Sequence, residues 1–276
     1  MPTQQALCGA GGGINQFVAL YRDLVAHWRL YDDSAVDAQG TPPSSVLLTK
    51  SGTPTREAVG QVSGYSIHLN GTPYLGQNDP SGQFRPAGSW TWRARFKFDN
   101  LAAFQVILAY GIENFAYVLY YNVGLNRITW DAYDTTGALI RATAEDMGAP
   151  SANVWYTAVA AYDDAAKRLE LRVYPGIKSE TPGFPDRRPT NYSNALPSGA
   201  LRASTAVFRL GGASFNTGPL YRLVGNMSHF VFYKRLLNPA EERIVVADDY
   251  DRWPLLVWKG LSAPPPGVPA APANLA

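Results

Sequence analysis

The chain predicts an all-β fold, an antiparallel two-sheet sandwich with an N-terminal helical arm and a short C-terminal helix. Three observations carry that prediction. From Ser89 to Phe98, Trp90, Trp92, Ala94, Phe96 and Phe98 face one way, and Thr91, Arg93, Arg95 and Lys97 the other. Such alternation predicts a strand with one buried face and one wetter face. Short strands then recur at regular spacing between turn signals, which indicates antiparallel pairing rather than a parallel α/β sheet. Finally, Gly225 to Ile244 reads as an alternating strand running into a capped helix.

The elements follow in order. Residues 1–13 end in Gly11-Gly12-Gly13, a flexible joint. Ile14, Phe17, Val18, Tyr21, Leu24 and Val25 repeat at helical spacing. A lone helix of about 12 residues is marginal in water, so this arm must dock on its own domain or on a neighbouring subunit. Beyond Phe98, strands are expected at Gln105–Tyr110, Ala116–Asn122, Arg127–Tyr133, Ala138–Ala144, Trp155–Tyr162, Arg168–Tyr174 and Val207–Gly211. Val123-Gly124-Leu125-Asn126, Thr136-Gly137 and Asp163-Asp164 supply turns.

Pro175 to Ser204 is a proline-rich polar stretch. Long loops of this kind are often functional or covered by a partner; the alternative is a loop packed on its own sheet. In the last strand Ser228, Phe230 and Phe232 share one face, and His229, Val231 and Tyr233 the other. Asn238 is a good N-cap, Pro239 suits the first helical position, and Glu241 stands three residues after the cap. Trp253-Pro-Leu-Leu-Val-Trp258 follows, then a Pro/Ala tail from Pro264 to Ala276. That tail is expected to be extended, at roughly 3.1 Å per residue.

Composition narrows the classes. Of 276 residues, 46% are hydrophobic and 17% charged, enough for a substantial core and against global disorder. Net charge is +2 with no basic run, so nucleic acid is not an expected partner. The single cysteine, Cys8, leaves no internal disulfide. No apolar stretch approaches the roughly 20 residues of a membrane span, so no membrane partner is expected. Met1-Pro-Thr-Gln-Gln-Ala lacks the features of a secretory signal. The expectation is a chain that stays in its cell or leaves by a route other than ordinary secretion.

Five passages, in order, resemble a known family. They are Val25-Ala-His-Trp28-Arg-Leu30 with Val36-Asp37 and Gly40, Gly64 to Gly71 with Tyr74-Leu75, Trp155 to Asp163, Leu169 to Gly176, and Gly225 to Ile244. Together they resemble the strands and terminal helix of laminin-G-like, concanavalin A-type jelly rolls, over about Val25 to Tyr250. The resemblance implies an arm at 1–24, a jelly-roll domain at 25–252 and a Trp/Pro-rich strap at 253–276.

Sandwiches of this type include glycoside hydrolases. Retaining cleavage needs two carboxyl groups about 5–5.5 Å apart. No Glu-x-Asp run supplies them: Glu113, Glu145, Glu170 and Glu180 are isolated, and Glu241-Glu242 suit a helix start. His27, His68 and His229 lie in strand text, Cys8 has no nearby histidine, and no nucleophile elbow or phosphate loop is present. Laminin-G-like modules often bind calcium, which takes six to eight oxygens. Asp163-Asp164, Asp131 with Asp134, and Asp248-Asp249 are the local acidic clusters. Where the family tends to place acidic residues before its last strand, this chain has Ser228 and His229. No metal site is therefore assigned; calcium has no specific motif, and no other cofactor is expected.

The expected function is non-enzymatic. The first reading is a virion component, a phage capsid decoration or tail-associated protein, made in the host cytoplasm without a signal peptide. Its partners would be capsid or tail proteins and copies of itself. Phe17, Tyr21 and Leu24 would anchor the arm, and Trp253, Leu256 and Trp258 the strap. The alternative is a carbohydrate-binding or adhesion module with glycans as partners. Sixteen tyrosines and seven tryptophans suit that role, although Trp90 and Trp92 share a face with Phe96 and Phe98 and read as core. A glycoside hydrolase comes last.

Overall fold

A computed structural model describes residues 23–28, 30, 49–57, 66–79, 82–85, 87–111, 115–176, 188–203, 207–214 and 220–246. In chain order the strands begin with β1 (Leu24–Trp28), β2 (Thr49–Ser51), β3 (Thr55–Glu57), β4 (Ser66–Asn70), β5 (Tyr74–Asn78) and β6 (Trp90–Phe98). Next are β7 (Gln105–Tyr110), β8 (Tyr117–Asn122), β9 (Arg127–Tyr133), β10 (Leu139–Thr143), β11 (Trp155–Asp163) and β12 (Arg168–Pro175). The last are β13 (Asn191–Tyr192), β14 (Val207–Leu210), β15 (Gly212–Ser214), β16 (Leu220–Arg222) and β17 (Val224–Tyr233), followed by helix α1 (Pro239–Val246).

Two antiparallel sheets make a jelly-roll sandwich. The first runs β13-β12-β11-β6-β17-β4-β3, with β1 also paired to β17; the second runs β10-β9-β8-β7-β14-β5-β2. Strands β15 and β16 form a separate hairpin. Inside, Trp92 from β6 stacks on Phe232 of β17 at 4.3 Å and on Phe208 of β14, in the facing sheet, at 4.8 Å. Trp28, Phe84, Trp90 and Trp130 complete a fully buried aromatic centre. Two hydrogen bonds run through it: Trp92 Nε1 donates to the Tyr117 hydroxyl at 3.2 Å, and Tyr117 donates to the Phe84 carbonyl at 2.5 Å.

The phase expected for β6 is observed, but its other face is not wet. Thr91, Arg93 and Arg95 are buried. Arg93 Nη1 donates to the His229 carbonyl at 2.6 Å, and the Arg95 guanidinium lies 5.2 Å from the Trp155 ring centre. Burial, with the Arg93 charge beside it, pulls the Arg95 guanidinium down to about 9. On the same outer face, Val246 of α1 packs on Val159 and Tyr174.

Strand β17 also departs from simple alternation. Ser228 pairs with Arg95 and Val231 with Arg93, so two residues, His229 and Phe230, face Ala94 at a bulge. His229 takes a positive φ of 48° there. Phe230 and Phe232 join the core as expected, whereas the bulge moves Ser228 to the opposite face. Gly225 opens the strand at a φ of 154°, where a Cβ would lie 1.9 Å from the Lys97 carbonyl oxygen. Only glycine fits that approach.

The helix cap forms as the sequence predicts. Glu241 N donates to Asn238 Oδ1 at 3.0 Å, and Asn238 N donates to Glu241 Oε2 at 2.9 Å. Glu242 does more than favour the dipole. Its buried carboxylate accepts from Arg172 Nε at 2.6 Å and from the Tyr174 hydroxyl at 2.7 Å, fastening α1 to β12.

Two further expectations meet the structure. Leu24 and Val25, the end of the helical repeat, are strand residues, and Leu24 is buried opposite Tyr233. In the Pro175–Ser204 stretch, the described part packs on its own domain: Asn191 Nδ2 donates to the Leu171 carbonyl at 3.1 Å, and Ser198 N to Asp134 Oδ2 at 3.0 Å.

Replacing Glu242 with alanine leaves the Arg172 charge buried beside a weaker partner, and is expected to cost about 3–5 kcal/mol of stability in urea denaturation. Asn238→Ala, which removes only the cap, is expected to cost about 1 kcal/mol.

Candidate functional site

The second sheet sorts its side chains by strand alternation. Tyr117, Leu119 and Tyr121 of β8, Ile128, Trp130 and Ala132 of β9, and Ile140 and Ala142 of β10 enter the core. The residues between them face outward, including Tyr120, Asn122, Asp131, Tyr133 and Arg141. Ala213 of the β15–β16 hairpin packs on the same outer face with Val106, Ala109 and Val118, and Tyr221 packs against that cluster.

Between hairpin and strands lies an open hollow of about 250 Å³. Phe104, Tyr133 and Tyr221, all half-buried, supply aromatic walls. Buried Tyr120, Asn122 and Asp131 form its floor, together with Arg141. Phe104 stands 6.1 Å from the Tyr120 ring centre and 5.6 Å from that of Tyr221.

The floor is a closed hydrogen-bond network. Asp131 and Arg141 are direct cross-strand partners. Arg141 Nε donates to Asp131 Oδ1 and Nη2 to Oδ2, each at 2.8 Å, a bidentate pair. The Tyr120 hydroxyl donates to Asp131 Oδ2 at 2.8 Å, and accepts from Arg141 Nη2 at 3.0 Å and Asn122 Nδ2 at 3.3 Å. Asn122 Oδ1 in turn accepts from Leu125 N at 3.1 Å, tying the floor to the β8–β9 turn.

Burial raises the Asp131 carboxyl above its ordinary value, opposed by the hydrogen bonds and charge of Arg141 and by Tyr120. Hydrogen bonding to Asp131 holds Arg141 charged, above its usual range. Burial first, and then the Asp131 charge, raises the Tyr120 and Tyr133 phenols. The hollow therefore presents neutral tyrosines and a guanidinium compensated by a carboxylate. Such a surface offers ring faces and fixed hydrogen-bond groups without net charge.

Phe17, Tyr21, Trp253, Leu256 and Trp258 are outside the described residues, and Leu24 belongs to β1. Of the acidic clusters, Asp163 accepts from Ala165 N and Ala166 N in the β11–β12 turn, while Asp164 pairs with Lys167. Asp131 and Asp134 are engaged separately, and Asp248-Asp249 lies outside the described residues. No group of three His, Cys, Asp or Glu among the described residues could hold a metal ion. Among the same residues no helix is long and apolar enough to cross a membrane. The histidines sit in strands as expected: His68 pairs with Asp99 at 2.7 Å, and the rings of His27 and His229 are 6.0 Å apart.

The site itself carries a sequence signal that the motif search missed. Asp131 and Arg141 stand equally far from Thr136 in a predicted turn, which makes them cross-strand partners. Phe104 and Tyr221 carry no such signal, because only the fold brings them to β8–β10.

No family model matches the chain, and no curated protein matches its sequence. Among solved structures it is similar to domain 4 of AbnA, a GH43 extracellular arabinanase from Geobacillus stearothermophilus, in complex with arabinotriose. The TM-score is 0.52 at 12% identity, covering 81% of this chain and 98% of that one. The receptor binding domain of botulinum neurotoxin C/D mosaic serotype gives 0.55 at 10% identity, covering 81% of this chain and 51% of that one. A Trypanosoma rangeli sialidase gives 0.52 at 16% identity, covering 84% of this chain and 33% of that one. The chain thus spans about half of the toxin domain's length and a third of the sialidase's. Likeness at these identities shows the fold.

One prediction concerns the turn beside the site. Hydrogen bonds from Thr136, and from the backbone of Ala138 and Ser198, hold the Asp134 carboxyl well below the usual carboxylate range. A depressed folded value contributes stability that is full above the unfolded value of about 3.9 and is lost as pH falls from there through the lower folded value. The stability gap between wild type and Asp134→Asn is expected to be open near pH 6 and to narrow progressively as pH falls below about 4 in urea titrations.

Proposed function

We propose that this chain is a glycan-binding module that holds a short saccharide in the hollow on the outer face of the second sheet and does not cleave it. The observation that carries the reading is the pairing of aromatic walls, Phe104, Tyr133 and Tyr221, with a rigid polar floor of Asp131, Arg141, Tyr120 and Asn122. A sugar has C–H faces that pack on aromatic rings and a rim of hydroxyls that need directional partners. A floor already locked by its own hydrogen bonds loses little freedom when the ligand arrives.

Two lines support the reading. The similar structures include a domain in complex with arabinotriose and a toxin receptor binding domain, and they favour the carbohydrate-binding alternative over a virus-particle role. Binding without cleavage is supported by the lining, where Asp131 is the one carboxylate among the described residues and is held by three hydrogen bonds. Glycoside hydrolysis in most families uses two carboxyl groups. Within the jelly rolls, the passage from β17 through Arg235 to capped α1 supports a laminin-G-like relationship.

Glycan-array screening followed by calorimetry tests the proposal. Tyr133→Ala and Tyr221→Ala are each expected to weaken saccharide binding about tenfold, or about 1.4 kcal/mol. Tyr192→Ala, at an exposed ring on β13 outside the hollow, is expected to leave affinity unchanged. A protein that binds no saccharide at millimolar concentration, or that loses as much with Tyr192→Ala, would sink the reading.

A further inference from the structure

Resting on the glycan-binding reading, we infer that the hollow is built for uncharged sugars and discriminates against acidic ones, and that Asp131 sets the discrimination. Among the described residues Arg141 is the cation lining the site, with 34% of its side chain exposed, while Asp131 below it is 1% exposed. Nε and Nη2 of Arg141 are committed to Asp131 and Tyr120, which leaves Nη1 outside the network. A uronic or sialic acid placed against that guanidinium meets one positive charge, with a carboxylate already on the guanidinium's far side.

The two protein charges oppose each other at the ligand. Attraction to Arg141 falls as the inverse of distance and is reduced by repulsion from Asp131, a few ångströms farther away. The acidic sugar must also surrender the hydration of its carboxylate against the walls of Phe104, Tyr133 and Tyr221, a large penalty for an ion. A neutral sugar meets neither obstacle. Its ring or hydroxyl oxygens accept from Nη1, a donor made rigid by the bidentate pair. Asp131 thereby acts through Arg141 as a positioning residue: it holds the fork in one plane and cancels its charge.

The test uses matched pairs of oligosaccharides, each neutral chain beside the same chain ending in a uronic or sialic acid. Affinities are measured in about 20 mM and about 300 mM NaCl, which changes the screening length several-fold. The wild-type protein is expected to bind the neutral member at least about tenfold more tightly, with a salt effect below about twofold. Asp131→Asn uncovers the Arg141 charge. It is expected to shift the acidic-to-neutral ratio about tenfold toward the acidic member and to make that binding salt-sensitive.

A general loss of structure would weaken both members alike and leave their ratio unmoved. Wild-type preference for the acidic member overturns the inference, as does an Asp131→Asn protein that is folded with an unchanged ratio. If that variant does not fold, the wild-type ratio and salt response decide alone. Failure of every pair to bind overturns the glycan reading itself, which is distinct from binding with the order reversed.

Discussion

The stack of Phe232, Trp92 and Phe208 is the contact on which the two sheets depend. Trp92 lies within β6, Phe232 beside it on β17, and Phe208 reaches from β14 of the facing sheet, with centroid separations of 4.3 and 4.8 Å from Trp92. Sheets packed face to face sit about 10 Å apart, and large interlocked rings fill that space without voids. The Trp92–Tyr117–Phe84 hydrogen bonds run through the same centre and offset the cost of burying the Trp92 and Tyr117 polar groups. With this layer in place, the direction of every outward side chain on β8, β9 and β10 follows from the two-residue period.

The two outer faces are then used differently. On the first sheet, α1 is drawn down by the buried Arg172–Glu242 pair, and Val246 settles on Val159 and Tyr174. On the second sheet, the described part of the β15–β16 hairpin packs on β7, and the hollow lies beside it over β8–β10. Its floor is stiff because each polar group there is engaged by a neighbour on an adjacent strand or turn. Three aromatic residues from separate parts of the chain supply the contact surface.

Jelly-roll sandwiches host many activities, so architecture alone does not determine what this chain does. The functional reading belongs to the hollow: the side chains that line it, the compensation of Arg141 by Asp131, and the half-exposure of the walls. Likeness to solved structures at 10–16% identity shows the fold, and the proposal rests on the site chemistry.

The sequence by itself determined what depends on near neighbours in the chain. The phase of β6, the Asn238–Glu241 cap and the Asp163 turn were legible because each rests on contacts within a few residues. The Asp131–Arg141 pairing follows from a local turn, Asp134 to Ala138 centred on Thr136, which sets its register. Tertiary structure decided the rest. It buried Arg93 and Arg95 on a face that alternation marks as wet, and it placed a bulge at His229 that turned Ser228 over. It also brought Phe104 and Tyr221 to the β8–β10 surface. Alternation reports which side of a strand a residue occupies; what covers that side is settled by elements distant in sequence, and the candidate site lies beside one such cover.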